Sequence, residues 1–237
     1  MSWRCWTQIN RTAARLDEER LNSRMGPIGI FGGTFDPIHY GHLRTALELL
    51  QCLSLAEVRF VPCADPPHRD ATPTAGASRL EMVKAAVANQ PSFVVDDREF
   101  KREGPSYTVD TLGSLRRESP LVSLCLLMGM DSFLGLAGWY HWEEIAELAH
   151  IVVAHRPGWR VPEDGVLGAL LCERGTDEVA SLHDSLCGRV FVTPVTQLEI
   201  SATELRASLK AGIDPKFLMP EIVSKMIIES GCYVGDS

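Results

Sequence analysis

Short apolar, branched runs recur along the chain at Ile28 to Phe31, Val58 to Val61, Phe93 to Val95, Val122 to Met128, His150 to Ala154 and Val190 to Val195. Between most of them the apolar positions follow helical spacing, as at Leu43, Ala46, Leu47 and Leu50, or Leu80, Val83, Ala86 and Val87. Strand and helix therefore alternate. This alternation predicts an α/β fold with a mostly parallel sheet flanked by helices, because each crossover helix must bury its apolar stripe against the sheet. Ligands of such sheets gather at the carboxyl ends of the strands, so the residues just after each run are the first candidates for chemistry.

Two segments break the pattern. Residues 63–77 hold Pro66, Pro67 and Pro73 with His68 and Arg69, and read as a mobile loop; residues 158–184 mix proline, glycine and charge and read as an irregular excursion. The end of the chain is more regular. Ser201 or Thr203 caps a helix starting at 202–204 and Gly212 closes it; Pro220 opens a second helix through Ile222, Val223, Met226 and Ile227 to Gly231. Residues 201–237 are thus expected to form a helical cap on a single domain spanning 25–237. Residues 1–24 are expected to be a dispensable extension outside the core, with room for a short amphipathic helix and lacking the apolar centre of a secretory signal.

Composition narrows the classes. With 237 residues and 45% hydrophobic content the chain can bury one full core. A net charge of −8 argues against a broad nucleic-acid or membrane surface, yet leaves room for a small pocket that takes a small anion. The seven cysteines are odd in number with no pair at two-residue spacing, which disfavours a zinc knuckle or a disulfide framework and points to a reducing cytoplasm. No run approaches the roughly 18 apolar residues of a membrane span.

The most informative stretch follows the first apolar run: Gly32-Gly33-Thr34-Phe35-Asp36-Pro37-Ile38-His39-Tyr40-Gly41-His42. Two glycines after a strand allow a phosphate close to the backbone, and amides at the start of the next helix face an anion. His39 and His42, three apart, can turn both imidazoles to one side as donors, with partial protonation adding charge. Asp36 and Pro37 fix the turn rather than carry chemistry. Surface histidines or a metal site are the open alternatives, although a zinc site lacks a third ligand nearby in sequence. Far downstream, Ile200-Ser201-Ala202-Thr203-Glu204-Leu205-Arg206 offers hydroxyls at a helix start and an arginine one turn in, which suits distant phosphates or simply a capped helix.

Together these two segments resemble the paired signatures of nucleotidyltransferases that carry His-x-Gly-His and a late Ile-Ser-x-Thr-x-x-Arg. Within that superfamily the chain resembles the bacterial nicotinate-mononucleotide adenylyltransferases from Met25 onward. The resemblance is strengthened by Pro66-Pro67-His68-Arg69, by Pro105-Ser106-Tyr107-Thr108-Val109-Asp110-Thr111-Leu112, by Gly129-Met130-Asp131-Ser132, by Trp139-Tyr140 and by His155-Arg156-Pro157-Gly158. It implies a Rossmann-like fold and adenylyl transfer from ATP to nicotinate mononucleotide, with Mg2+ held mainly through the ATP phosphates.

The resemblance also assigns residues. His39, His42, Ser201 and Arg206 would hold the ATP phosphates, with Gly32, Gly33, Thr34, Phe35 and Thr203 beside them. Gly129 and Asp131 would meet the adenosine. Trp139 would stack on the pyridine ring, Thr108 and the Tyr140 amide would meet the nicotinate carboxylate, and His68 and Arg156 would complete the substrate site. Met130 departs from the polar residue common in relatives. A monomer or small homo-oligomer is expected.

Overall fold

The computed structural model of the chain describes residues 26–66, 74–155, 162–196 and 198–233. Its strands are β1 (Ile28–Gly33), β2 (Glu57–Pro62), β3 (Phe93–Val95), β4 (Leu124–Gly129), β5 (His150–His155), β6 (Gly175–Thr176) and β7 (Val190–Pro194). All pair in parallel, in the order β3-β2-β1-β4-β5-β7-β6. The helices are α1 (Tyr40–Cys52), α2 (Gly76–Val87), α3 (Thr108–Glu118), α4 (Met130–Leu134), α5 (Trp142–Leu148), α6 (Gly165–Arg174), α7 (Ala180–Asp184), α8 (Ala202–Lys210) and α9 (Glu221–Ser230). This is the expected Rossmann-like arrangement.

The continuous apolar runs are explained by burial on both faces of the sheet. Phe31, Leu127 and Val152 point into one core cluster, whereas their neighbours Ile30, Leu126 and Val153 point into the other. Alternate side chains of a strand face opposite sides, so a strand covered twice must be apolar throughout. The C-terminal helices seal the first cluster with Leu205 and Leu209 from α8 and Val223 and Ile227 from α9. Their caps follow the sequence signals: Ser201 Oγ accepts the Glu204 amide, while Gly212 and Gly231 take positive φ where α8 and α9 end. Thr203 is not the cap.

The chain runs from β1 outward to β3, then returns past β1 to β4 and continues the other way. That reversal opens a crevice beyond the carboxyl ends of β1 and β4. Gly32-Gly33 and Gly129 stand at those ends.

The irregular excursion expected over 158–184 requires correction, because α6, β6 and α7 lie inside it. The apolar residues of α6 cluster without a polar stripe, and Leu167, Leu170 and Leu171 pack on the second core cluster. A two-residue strand such as β6 carries no readable period. The expected loop 63–77 is described only at its ends, with α2 already under way at Gly76; 67–73, like the expected extension 1–24, lies outside the described residues.

Arg79 of α2 is completely buried and acts as a staple. It donates to Thr34 O at 2.6 Å, Thr74 O at 3.3 Å and Ala64 O at 3.4 Å, joining the turn after β1 to the loop after β2. A planar guanidinium serves three diverging carbonyls from three separate nitrogens, a spread that the single nitrogen of a lysine lacks. Arg79→Met should therefore lower the unfolding free energy by about 3 kcal/mol, the cost of leaving buried acceptors without donors. Urea denaturation reads this directly, and a loss below about 1 kcal/mol would show that the staple is dispensable.

Candidate active site

A cleft of about 600 Å³ opens at the β1/β4 crevice. One end is built on the turn between β1 and α1. At Gly32 and Gly129 an added Cβ would meet no protein atom within 4 Å. What these glycines leave free is therefore room for a ligand, not room for another part of the chain.

His39 is the N-cap residue of α1 and His42 stands one turn in. Their rings stack with centroids 3.7 Å apart. Gly41 makes this possible, since a Cβ there would come within 2.9 Å of the His39 ring. The His39 amide donates to His42 Nδ1 at 3.3 Å. An accepting Nδ1 puts the proton of neutral His42 on Nε2, where it is a donor. Phe35, only 3% exposed and held at positive φ, packs its ring edge-on to His42 at 5.1 Å and so supports the imidazole.

Burial of His39 pulls its pKa down to about 4. His42 lies well below its ordinary value, first through burial and then through His39 beside it. Both rings are thus neutral donors at pH 7 before any anion arrives, and partial protonation of the free protein is not part of the site. Cys63, also in the cleft, is pushed up to about 11 by burial and the Glu99 carboxylate, so it is a thiol and no nucleophile at neutral pH.

The late segment meets this turn. Arg206 Nη1 donates to Asp36 O at 2.7 Å and Nη2 donates to Thr203 Oγ1 at 3.2 Å. Arg206, Ser201 and Thr203 stand beside the cleft rather than in its wall, to which their neighbours Ile200 and Ala202 contribute.

At the other end, Thr108 is the first residue of α3, facing the cleft with Trp139 and Tyr140. Trp139 is half-buried and also packs on the second core cluster, so it is both wall and core. Tyr140 stacks on Tyr107 with centroids 4.4 Å apart. No hydrogen bond within the described residues takes up the Tyr140 amide.

Residues 30–208 match the family model described as cytidylyltransferase-like. A protein of Aeromonas hydrophila named "Probable nicotinate-nucleotide adenylyltransferase" is 49% identical over 207 residues, covering 87% of this chain and 97% of the relative. One of the same name from Halorhodospira halophila is 47% identical over 206 residues, covering 87% and 94%. The chain belongs to the nicotinate-nucleotide adenylyltransferase family. In fold it is similar to Plasmodium falciparum nicotinic acid mononucleotide adenylyltransferase complexed with NaAD, with a TM-score of 0.68 over 88% of this chain and 97% of that one, at 19% identity.

For this member of the family, the cleft brings together Gly32, Gly33, Thr34, Phe35, His39, His42, Thr108, Gly129, Asp131, Trp139 and Tyr140. His68 and Arg156 lie outside the described residues. The departure at Met130 has a simple cause: its side chain is 3% exposed and belongs to the core, leaving the cleft to Gly129 and Asp131. Glu99, Cys63 and Tyr107 also line the cleft. Tyr107 belongs to the segment Pro105 to Leu112 that carries part of the family resemblance, whereas nothing in the sequence around Glu99 and Cys63 points to a site.

The neutral histidines make stability depend on pH. His39 has a pKa near 6.5 when unfolded and about 4 when folded, so the unfolded chain binds more protons between these values. Stability is unaffected above about pH 6.5 and falls towards pH 4, by about 3 kcal/mol if the whole shift is expressed. His42 adds to the fall in the same sense. In His39→Asn the decline measured by urea unfolding between pH 7.5 and 4.5 should be shallower than in the wild type; parallel profiles would contradict a buried neutral His39.

Proposed function

We propose that the protein transfers the adenylyl group of ATP to nicotinate mononucleotide, giving deamido-NAD and pyrophosphate, as a cytoplasmic step of NAD biosynthesis. One observation carries this reading: a stacked, neutral imidazole pair at a glycine turn shares a single cleft with Thr108, Trp139 and Tyr140. Family membership supports the same assignment.

An oxygen of the mononucleotide 5′-phosphate attacks the α-phosphorus of ATP in line. The bond to the bridging oxygen breaks, and its electron pair leaves with pyrophosphate. The attacking phosphate is already ionised, so no general base is needed, and the Cys63 thiol offers no route through a covalent intermediate. Rate enhancement comes from alignment and from donors aimed at charge that builds in the transition state.

In this reading His42 Nε2–H meets an α-phosphoryl oxygen and His39 the bridging region, next to the backbone at Gly32, Gly33, Thr34 and Phe35. Arg206 spends two of its five N–H groups on Asp36 and Thr203 and keeps the others for the leaving pyrophosphate. Ser201 Oγ accepts the Glu204 amide, which leaves its O–H as a donor. Gly129 and Asp131 receive the adenosine. The indole of Trp139 stacks on the pyridine ring, while the N-terminal end of α3 at Thr108 and the Tyr140 amide meet the carboxylate. His68 and Arg156 are assigned to the substrate site by the family resemblance.

Mg2+ would be held mainly through the ATP phosphates. The phosphate end presents N–H and O–H donors, and among the described residues no group of three or more His, Cys, Asp or Glu side chains converges as cation ligands. Bound there, the ion would offset charge on the triphosphate that these donors contact.

Pyrophosphate release measured in parallel with nicotinate mononucleotide, nicotinamide mononucleotide and phosphopantetheine tests the assignment. A preference for the first is expected, and equal or greater turnover with either of the others would overturn it. His42→Ala should lower kcat by about 10²- to 10³-fold, as removal of one preorganised donor does. Its thermal unfolding should remain cooperative, and unchanged kcat at saturating ATP would exclude His42 from the transition state.

A further inference from the structure

Three contacts from the C-terminal cap converge on the phosphate turn. Arg206 donates to Asp36 O at 2.7 Å, Tyr40 at the start of α1 donates its amide to Leu218 O at 3.0 Å, and the Tyr233 hydroxyl donates to Asp36 Oδ1. The last joins residues 197 apart in sequence.

Asp36 is 2% exposed, and its carboxylate makes no ion pair with any described residue. A buried carboxylate without a cation depends on hydrogen-bond donors to stay in place. Tyr233 supplies one. Its ring packs on the core cluster shared by α8 and α9, just beyond the left-handed Gly231 that ends α9. Tyr233 does not line the cleft, so it bears on the site indirectly, through Asp36 and through its hydroxyl's second partner, Thr74. Without that donor the carboxylate would seek water, and the backbone between Thr34 and His39 would follow it.

We propose that Tyr233 is a positioning residue, latching the C-terminal helices to the turn that grips the ATP phosphates. This rests on the proposed role of that turn. Nucleotide binding and docking of the segment around Tyr233 are then coupled, and each favours the other by the same free energy.

Tyr233→Phe in the full chain removes the hydroxyl and keeps the ring. We expect kcat/KM for ATP to fall about tenfold, the scale of one hydrogen bond to a charged group, while KM for nicotinate mononucleotide changes by less than about twofold. Adding Asp36→Asn should recover part of the loss, because a neutral amide leaves no unpartnered charge behind. In the wild type, amide hydrogen exchange across 221–233 should slow when a non-hydrolysable ATP analogue binds. Equal losses for both substrates, a loss matched by a fall in Tm, or exchange in the wild type that ignores the analogue would each overturn the proposal. If Tyr233→Phe fails to fold, the wild-type exchange result decides. Product formation by the wild type checks the proposed activity separately, since the exchange measurement needs no acceptor.

Discussion

The site depends on how the backbone carbonyls of one short turn are held. Between Gly33 and His39 the chain leaves the sheet, and no regular ladder takes up its polar groups. Two guanidiniums do so from opposite directions: Arg79 grips Thr34 O from α2, and Arg206 grips Asp36 O from α8. A flexible turn held in this way becomes a rigid scaffold for the two imidazoles that follow it. The same contacts explain why an arginine late in the chain bears on a motif near its beginning.

Rigidity is joined to dryness. His42 sits against Phe31 and Phe35 with His39 stacked on it, and burial holds both imidazoles neutral. Keeping two imidazoles uncharged in contact costs acid stability, but it leaves both rings already oriented. In the proposed reaction the negative charge of a triphosphate would raise the affinity of both rings for protons.

Much of the architecture was legible because local patterns and global demands agreed. The apolar runs at Ile28, Val58, Leu124 and His150 became strands since both faces of the sheet are covered. Ser201, Pro220 and Gly231 marked helix ends through capping chemistry that acts within one turn. The segment holding α6, β6 and α7 escaped detection for the converse reason. An apolar helix lacking a polar stripe and a strand of two residues show no period of their own, and only their neighbours define them. Glu99 and Cys63 were likewise invisible, being brought to the cleft by packing.

By itself the sequence determined the alternation of strand and helix outside the segment holding α6, β6 and α7, the caps of the last two helices, and the placing of Gly32, His39, His42 and Gly129 at strand ends or helix starts. These follow from spacing and backbone preference, which are local properties. Tertiary structure decided which distant groups meet: Arg79 with Thr34, Arg206 with Asp36, Tyr233 with Asp36, Tyr107 with Tyr140. It also decided that the histidines are neutral, and that Met130 faces the core. Contact between remote residues and removal from water depend on everything packed around a group, and no stretch of chain carries that information alone.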